Sequence, residues 1–525
     1  MPASSLRRFI PLAAIFLIIG YFTYIYDDQV WSLPHFSSSL GGLGATATAS
    51  AKPVSTGSGR FQPLPSPNTP QQVPSKGDSK ASPPKEPSQI QPLPPSKDNN
   101  NPQPLPPSNG VSTAPAKPPS VYREVFSVSR RKGNYFEIEF PGFKVFNPNI
   151  LPHPSKPDTW VVVAQKERGG SHDDFEAIEL VCEAVFNDED DTLTCSTPPQ
   201  TLPVKPTKGG LCKGELEWFN GVSGPHDARV FYGPKVPYII YGSRSGYTCF
   251  GQWIQDFRGL QQPPKEKDVS NTNIDPIKRS PASVLFSAGT ELHRPGPFGE
   301  FEKNWFVFWD RHGQMYAHYD LAPRRSFAQL DNDGAVIGED MSVLAIESDE
   351  ACMAKYMPKV TSTTKSSLHQ ATNSLSITLC ARADPACKPT EENTFIMAIF
   401  QQKFYYAYHN VYRPYVVLLR SSAPFAVHAI SQKPMWFHGH KKMADKHAAA
   451  EKTKTTTRRR GLEERDAAAA EMFFVTSIAW KTNGQTYHGY IDDVMFVTFG
   501  IEDNRAGAID VRAGDLLKDL GVCGL

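Results

Sequence analysis

Residues 224–258 read GPHDARVFYGPKVPYIIYGSRSGYTCFGQWIQDFR and gather His226, Asp227, Arg229, Arg244 and Tyr247 within some twenty positions. Imidazole, carboxylate and guanidinium groups at one place can move protons and hold anions. Two apolar runs, 229–232 and 238–241, flank GlyProLysValPro, which predicts a strand, a turn and a strand. His226, Asp227 and Arg229 then fall in a loop opened by Gly224 and Pro225, and Arg244, Tyr247 and Cys249 follow the second strand. Ionisable groups at the ends of a hairpin suit a site held at the rim of a β-scaffold. The competing reading makes Asp227 a turn cap and puts Arg229 on a solvent face.

Similar groups sit at other predicted strand ends. Glu302-Lys303-Asn304-Trp305 precedes one strand, with Asp310 in the hairpin turn after it. HisGlyTyrIleAspAsp at 488–493, carrying Asp492 and Asp493, leads into another strand, and GlyIleGluAspAsnArg at 500–505 supplies Asp503 and Arg505. His438 and His440 flank a glycine, where they could share a metal or grip a phosphate. AspGluAspAsp at 188–191 reads as a solvated acidic turn. The chain carries no GxxxxGK[ST], no GxGxxG after a strand and no GxSxG, which argues against mononucleotide folds and serine hydrolases. None of the eight cysteines forms a Cys-x-x-Cys pair, which argues against zinc ribbons and thioredoxin-type sites, and the even count favours disulfides. A net charge of +1 leaves no field that suggests nucleic acid as a partner.

The elements that must carry these groups are short strands. Runs at 159–165, 177–186, 283–286, 304–309, 314–319, 394–402, 405–410, 415–420, 473–480 and 493–500 are apolar or aromatic and broken by Gly, Pro and Asp. Only 513–520 reads as a helix. An all-β body follows. Hairpins punctuated by Gly and Trp over residues 121–525 fit a β-propeller with long insertions, and a large sandwich is the alternative. Residues 441–470, with nine basic and five acidic side chains, read as an exposed insertion.

Ahead of the body, Arg7 and Arg8 precede the apolar run Phe9–Tyr26, long enough to span a bilayer as a helix. The basic flank predicts a cytosolic tail over 1–8, an uncleaved signal anchor over 9–26 and a luminal C-terminus. Residues 27–120, rich in Pro and Ser with QPLPPS twice, read as a disordered stem. The layout is that of a type II membrane protein of the Golgi or another secretory membrane. No N-x-Ser/Thr sequon is present.

GlyProHisAspAlaArgValPhe is similar to the GxEDPR-type loop of the five-bladed-propeller mannoside phosphorylases and their mannosyltransferase relatives. GlyIleGluAsp at 500–503 resembles the Gly-x-x-Asp near the end of the phosphorylase propeller. Tail, anchor, stem and body together resemble the fungal β-1,2-mannosyltransferases. The chain departs from the phosphorylase pattern at His226, usually Glu, and at Ala228, usually Pro. The resemblance implies a five-bladed propeller that transfers a sugar, mannose from GDP-mannose, with inversion to a mannan-type glycan.

Asp227 then removes the acceptor proton, within hydrogen-bond reach of the attacking oxygen. Arg229, Arg244, Lys303 and Arg505 offset the charge of the leaving diphosphate, with His438 or His440 as helpers or a divalent metal in their place. Trp305, Tyr247 and Trp253 offer flat faces to sugars, although core positions compete for each of them. His226, Asn304, Asp310, Asp492, Asp493 and Asp503 complete the substrate-binding set. A glycoside hydrolase or phosphorylase, using Asp310 or Asp503 as second carboxylate, and a non-catalytic carbohydrate-binding protein are the alternatives.

Overall fold

The computed structural model describes residues 121–524 apart from 168–176, 262–284, 361–365, 407–408 and 442–469. The anchor, the stem and most of the charged insertion lie outside the described residues. Among the described residues no helix is long and apolar enough to cross a membrane.

The described chain is mostly β, as its apolar runs predict, and its strands group into five successive units with four antiparallel strands each, the first and fifth being joined into one nine-stranded sheet by parallel pairing of Phe136–Glu139 with Thr192–Cys195. The first unit holds Val145–Pro152, Trp160–Lys166, Glu179–Asn187 and Thr192–Cys195. The second holds His226–Tyr232, Pro237–Arg244, Phe250–Asp256 and Thr290–Glu291, and the third Phe306–Trp309, Met315–Asp320, Ser326–Leu330 and Val336–Ile337. The fourth holds Leu375–Thr378, Thr394–Tyr406, His409–Arg420 and Val427–Ser431. Phe473–Trp480, Val494–Ile501 and Arg505–Arg512 make three strands of the fifth, and Phe136–Glu139, from before the first unit, supplies the fourth.

The five units are tied into a ring by side chains that bond to neighbouring backbone. Asn149 donates to the Ala228 carbonyl and accepts from the Val230 amide, joining units one and two. Gln252 accepts from the Trp305 amide, and Ser374 donates to the Val307 carbonyl. Asn373 brackets Ile478 by bonding both its amide and its carbonyl, and Thr476 donates to the Pro148 carbonyl, which brings unit five back to unit one. Buried amides and hydroxyls are tolerated here because each has a partner.

Packing explains the near-continuous apolar strands. In Trp160–Lys166, Trp160, Val162 and Ala164 enter the layer shared with Phe496 of unit five, while Val161 and Val163 enter the layer shared with Ala228, Val230 and Ile239 of unit two. A strand covered on both faces loses its polar alternation. Units three and four meet through Phe306, Phe308, Phe327, Phe400 and Tyr415. All eight cysteines pair, as 182–195, 212–249, 352–523 and 380–387.

Several sequence expectations change. His226, Asp227 and Arg229 lie inside a strand that bulges between His226 and Arg229, not in a loop before it. Leu285 and Phe286 form a turn, not part of a strand, and 405–410 is no separate strand, because 405–406 end one strand and 409–410 begin the next. The helix predicted over 513–520 spans only Ala513–Leu516, after which Asp519 adopts φ 62 and Leu520–Val522 pairs with Val427–Ser431. The helix Ile346–Tyr356 went unpredicted because its sequence, IESDEACMAKY, buries only Asp349 and Cys352 and shows little apolar periodicity.

Candidate active site

The side where the first strands begin collects polar groups from all five units. Asp227, half-buried, has φ 48, a left-handed conformation that Asp tolerates better than most residues. The bulge turns it out of the strand's alternation. Asn147, at the bulge of the first unit's first strand and itself at φ 50, donates to Asp227 Oδ1 at 3.2 Å. Gly224, at φ 91, lets the preceding chain pass against Ala177, where any Cβ would sit 2.4 Å from the Ala177 carbonyl oxygen. Gly224→Ala is therefore expected to cost at least the 1–2 kcal/mol of a left-handed non-glycine residue. The check is a thermal melt of the variant, and an unchanged Tm would remove this clamp from the account.

Across from Asp227 lie Asp503 and Lys403. Asp503 follows Val494–Ile501 in a turn where both it and Glu502 have positive φ. Crowding by protein pushes its carboxyl up to about 6, and the negative charges of Asp227 and Glu502 add to the effect while Lys403 opposes it. The carboxylate still reaches solvent at the surface. Solvent screening therefore tempers the interaction. Burial holds the Lys403 ammonium down to about 8 despite Asp503. Tyr412 is pushed up by burial and by both Asp503 and Asp227, so it stays a neutral phenol.

Arg229 is almost wholly buried, with Nε on the Ala371 carbonyl at 2.6 Å and Nη2 on Asn304 Oδ1 at 2.9 Å. Burial lowers it to about 10, against the pull of Asp227. It therefore links units two, three and four and supports Asp227, and is not an open fork for a diphosphate. Asn304, at φ 64, is held as its acceptor. Lys303 beside it is exposed, and its charge adds to burial in lowering His369 to about 3.

The other predicted residues divide. Half-buried His226 stands beside Asp227 with its ring 5.7 Å from Phe250. Arg244 is spent on the Asn220 and Thr207 carbonyls, and Trp253 donates to the Arg244 carbonyl. Tyr247 is exposed and stacks on Phe298 at 5.4 Å. Trp305 is a core residue, 1 % exposed and edge-on to Tyr319, and offers no face to a sugar. Asp310 caps its own hairpin by accepting from His312 and Gln314 amides, at the end of Phe306–Trp309 opposite Asn304.

Asp492 and Asp493 precede Val494–Ile501 while Asp503 follows it, so they lie at the opposite end and bind Arg382. His438 pairs with Glu124 at 2.6 Å, while burial lowers His440 to about 4 as it bonds the Glu471 carbonyl and stacks on Trp436 and Phe473. Arg505 bonds Glu137 and Glu471 at 2.5 and 2.7 Å. Among the described residues no group of three or more His, Cys, Asp and Glu side chains is arranged to hold a metal ion.

One carboxylate lay beyond sequence reasoning. Glu179, at the start of its strand, is buried against Asp227, and it had the look of one polar position in an apolar run.

No family model matches the chain, and no curated protein matches it. Among solved structures it is similar to a glycosyl hydrolase from Bacteroides ovatus at 10 % identity, covering 76 % of this chain and 92 % of that one with a TM-score of 0.36. It is also similar to the β-1,2-mannobiose phosphorylase of Listeria innocua at 10 % identity, covering 72 % and 93 % with a TM-score of 0.35. MPT-1, a GDP-Man-dependent mannosyltransferase from Leishmania mexicana, matches at 9 % identity over 72 % and 89 % with a TM-score of 0.34. These likenesses are loose, and the residues above carry the site.

Proposed function

We propose that the chain is a sugar-transferring enzyme built on a five-bladed β-propeller, moving mannose from GDP-mannose to a glycan acceptor with Asp227 as general base. The observation that supports this best is the convergence of Asp227, Asp503 and Lys403, from three different units, at the end of the ring where the first strands begin. The acceptor hydroxyl gives its proton to Asp227 as its oxygen bonds the sugar's anomeric carbon from the face opposite the leaving group. The bond to the diphosphate breaks at the same time, and its electron pair leaves with the nucleotide. Lys303 on the rim and Lys403 beside Asp503 are the cations that meet that charge, while Arg229, Arg244 and Arg505 are bonded within the fold. Residues 9–26 anchor the protein in a Golgi or other secretory membrane, 27–120 form its stem, and the body faces the lumen.

The test is a nucleotide-release assay on the full-length chain with GDP-mannose and competing UDP-sugars, with and without mannan acceptor. GDP release that requires acceptor supports the reading, and silence with every donor overturns it.

The state of Asp503 favours a second reading, mannoside phosphorolysis or hydrolysis, because a carboxyl raised to about 6 beside a second carboxylate is the pairing an acid catalyst uses. In that case cleavage requires protonated Asp503 and falls as the pH rises through about 6. Asp503→Asn then removes most of the rate and flattens that limb. A pH-independent rate in mannoside cleavage would discard this second reading.

A further inference from the structure

Behind Asp227, on the side away from solvent, the layer between the first and second units contains polar atoms the packing does not explain. Glu179 is 1 % exposed, and neither of its carboxyl oxygens has a well-formed hydrogen bond. Gln165 lies directly across the strand pair from it, 4 % exposed, and its side-chain oxygen also has no partner. Both residues share the strand face of Val163 and Val181, which pack toward unit two. Asn147, which would be a ready donor, has its amide on Asp227 instead. Among the described residues no ion pair involves Glu179, and Arg229 bonds Ala371 and Asn304 instead.

A bare carboxylate left in such a place would cost far more than the fold could offset. A proton is the simplest occupant that satisfies the bare Glu179 carboxyl, because a carboxylic acid becomes a donor and the Gln165 oxygen across the strand pair is an acceptor without a partner. We infer that Glu179 is a positioning residue for Asp227: it stays a neutral acid behind it, so that the pair carries one proton and its negative charge sits on Asp227, where an acceptor can reach it. This rests on the proposed role of Asp227.

The charged surroundings agree. Burial raises Glu179 well above the usual carboxylate range, Asp227 raises it further, and the Ala228 amide opposes them only in part. Asp227 is the titratable group that acts on Glu179 from the strand packed against it; Asp503, Tyr412 and Arg229 are coupled to Asp227.

Pairing of this kind has a kinetic use. Two negative charges side by side repel, and burial penalises the charge on Glu179 most, so the shared proton rests there. Keeping the proton on Glu179 leaves Asp227 free to take one from the acceptor.

The test is infrared spectroscopy on the full-length wild type and on Glu179→Gln and Asp227→Asn, titrated over pH, with melting temperatures recorded alongside. A protonated-carboxyl band persisting at neutral pH in the wild type and missing in Glu179→Gln is expected. In Asp227→Asn the midpoint of that band should move to lower pH, because the neighbouring negative charge is gone. The melts carry a definite sign. A raised folded-state value means that the stabilising share of Glu179 is present in acid and is lost as the pH rises. Glu179→Gln should therefore melt with the wild type near pH 4 and several degrees above it at pH 7.

A neutral-pH spectrum without that band would overturn the inference, as would a midpoint indifferent to Asp227→Asn. Should Glu179→Gln fail to fold, the wild type and Asp227→Asn alone still decide it. None of these readings needs turnover, so absence of sugar transfer would sink the proposed function while leaving this result standing.

Discussion

Asp227→Asn is expected to lower acceptor-dependent GDP release by about 10²–10⁴-fold, the range that a positioned general base contributes. Binding of GDP-mannose should stay within a few-fold, because the exchange keeps the shape of the side chain and removes only its capacity to take a proton. The geometry supports this separation. Asp227 is half-buried and reachable, its Oδ1 is fixed by Asn147 at 3.2 Å, and its backbone is held by the bulge. Steady-state kinetics of the variant, beside equilibrium binding of the donor, provide the measurement. Unaltered turnover would move the base to Asp503. Unaltered sugar binding in a chain with no turnover in either form would make it a carbohydrate-binding protein.

The second large effect lies far from that chemistry. Arg325, buried, pairs with the buried Asp349, donates to the Phe425 carbonyl at 3.1 Å and to His318 Nε2 at 3.2 Å. Asp349 also accepts from the Val427 amide at 2.7 Å, so the cluster fastens the helix Ile346–Tyr356 to units three and four. Arg325→Met leaves a buried carboxylate without its counter-charge. A loss of about 3–5 kcal/mol is expected, against a total stability of about 5–15 kcal/mol for a folded domain. Pairing it with Asp349→Leu should recover much of the loss, since removing both partners avoids the orphaned charge. Chemical denaturation of the single and double variants checks this. Equal destabilisation in both would mean that packing, not charge, sets the cost.

Much of the architecture was legible in the chain. The two apolar runs around GlyProLysValPro form a hairpin, and the strands predicted at 473–480 and 493–500 lie within one residue of Phe473–Trp480 and Val494–Ile501. Asp227 and Asp503 lie on one side of the ring, because Asp227 is at the start of its unit's first strand and Asp503 follows Ile501, which pairs with Phe473 at the start of another unit's first strand.

The failures have three separate causes. Asp310, Asp492 and Asp493 also sit at strand ends, but at the other ends, and a sequence shows that a residue bounds a strand without showing which side of the ring that bound faces. Glu179, Lys403 and Tyr412 were hidden for a different reason. Each lies inside or beside an apolar run, where a single polar residue looks like routine alternation. Only the return of distant units to one place turns it into part of a site. Arg229 and Arg505 illustrate a third limit, since a free guanidinium and one already bonded are identical as letters.

The fifth unit takes its last strand, Phe136–Glu139, from the opposite end of the described chain. During synthesis that segment leaves the ribosome among the first of the body, yet its antiparallel partner, Arg505–Arg512, is made nearly last. That strand can pair early on one edge with Thr192–Cys195, in parallel, but its other edge stays open until Arg505–Arg512 is made. Closure on that edge depends on a contact of very large sequence separation, and such contacts form slowly. A chaperone that shields Phe136 and Ile138 would speed recovery of the native protein, and release of the C-terminal strands before that point would leave an open sheet edge prone to pairing with other copies.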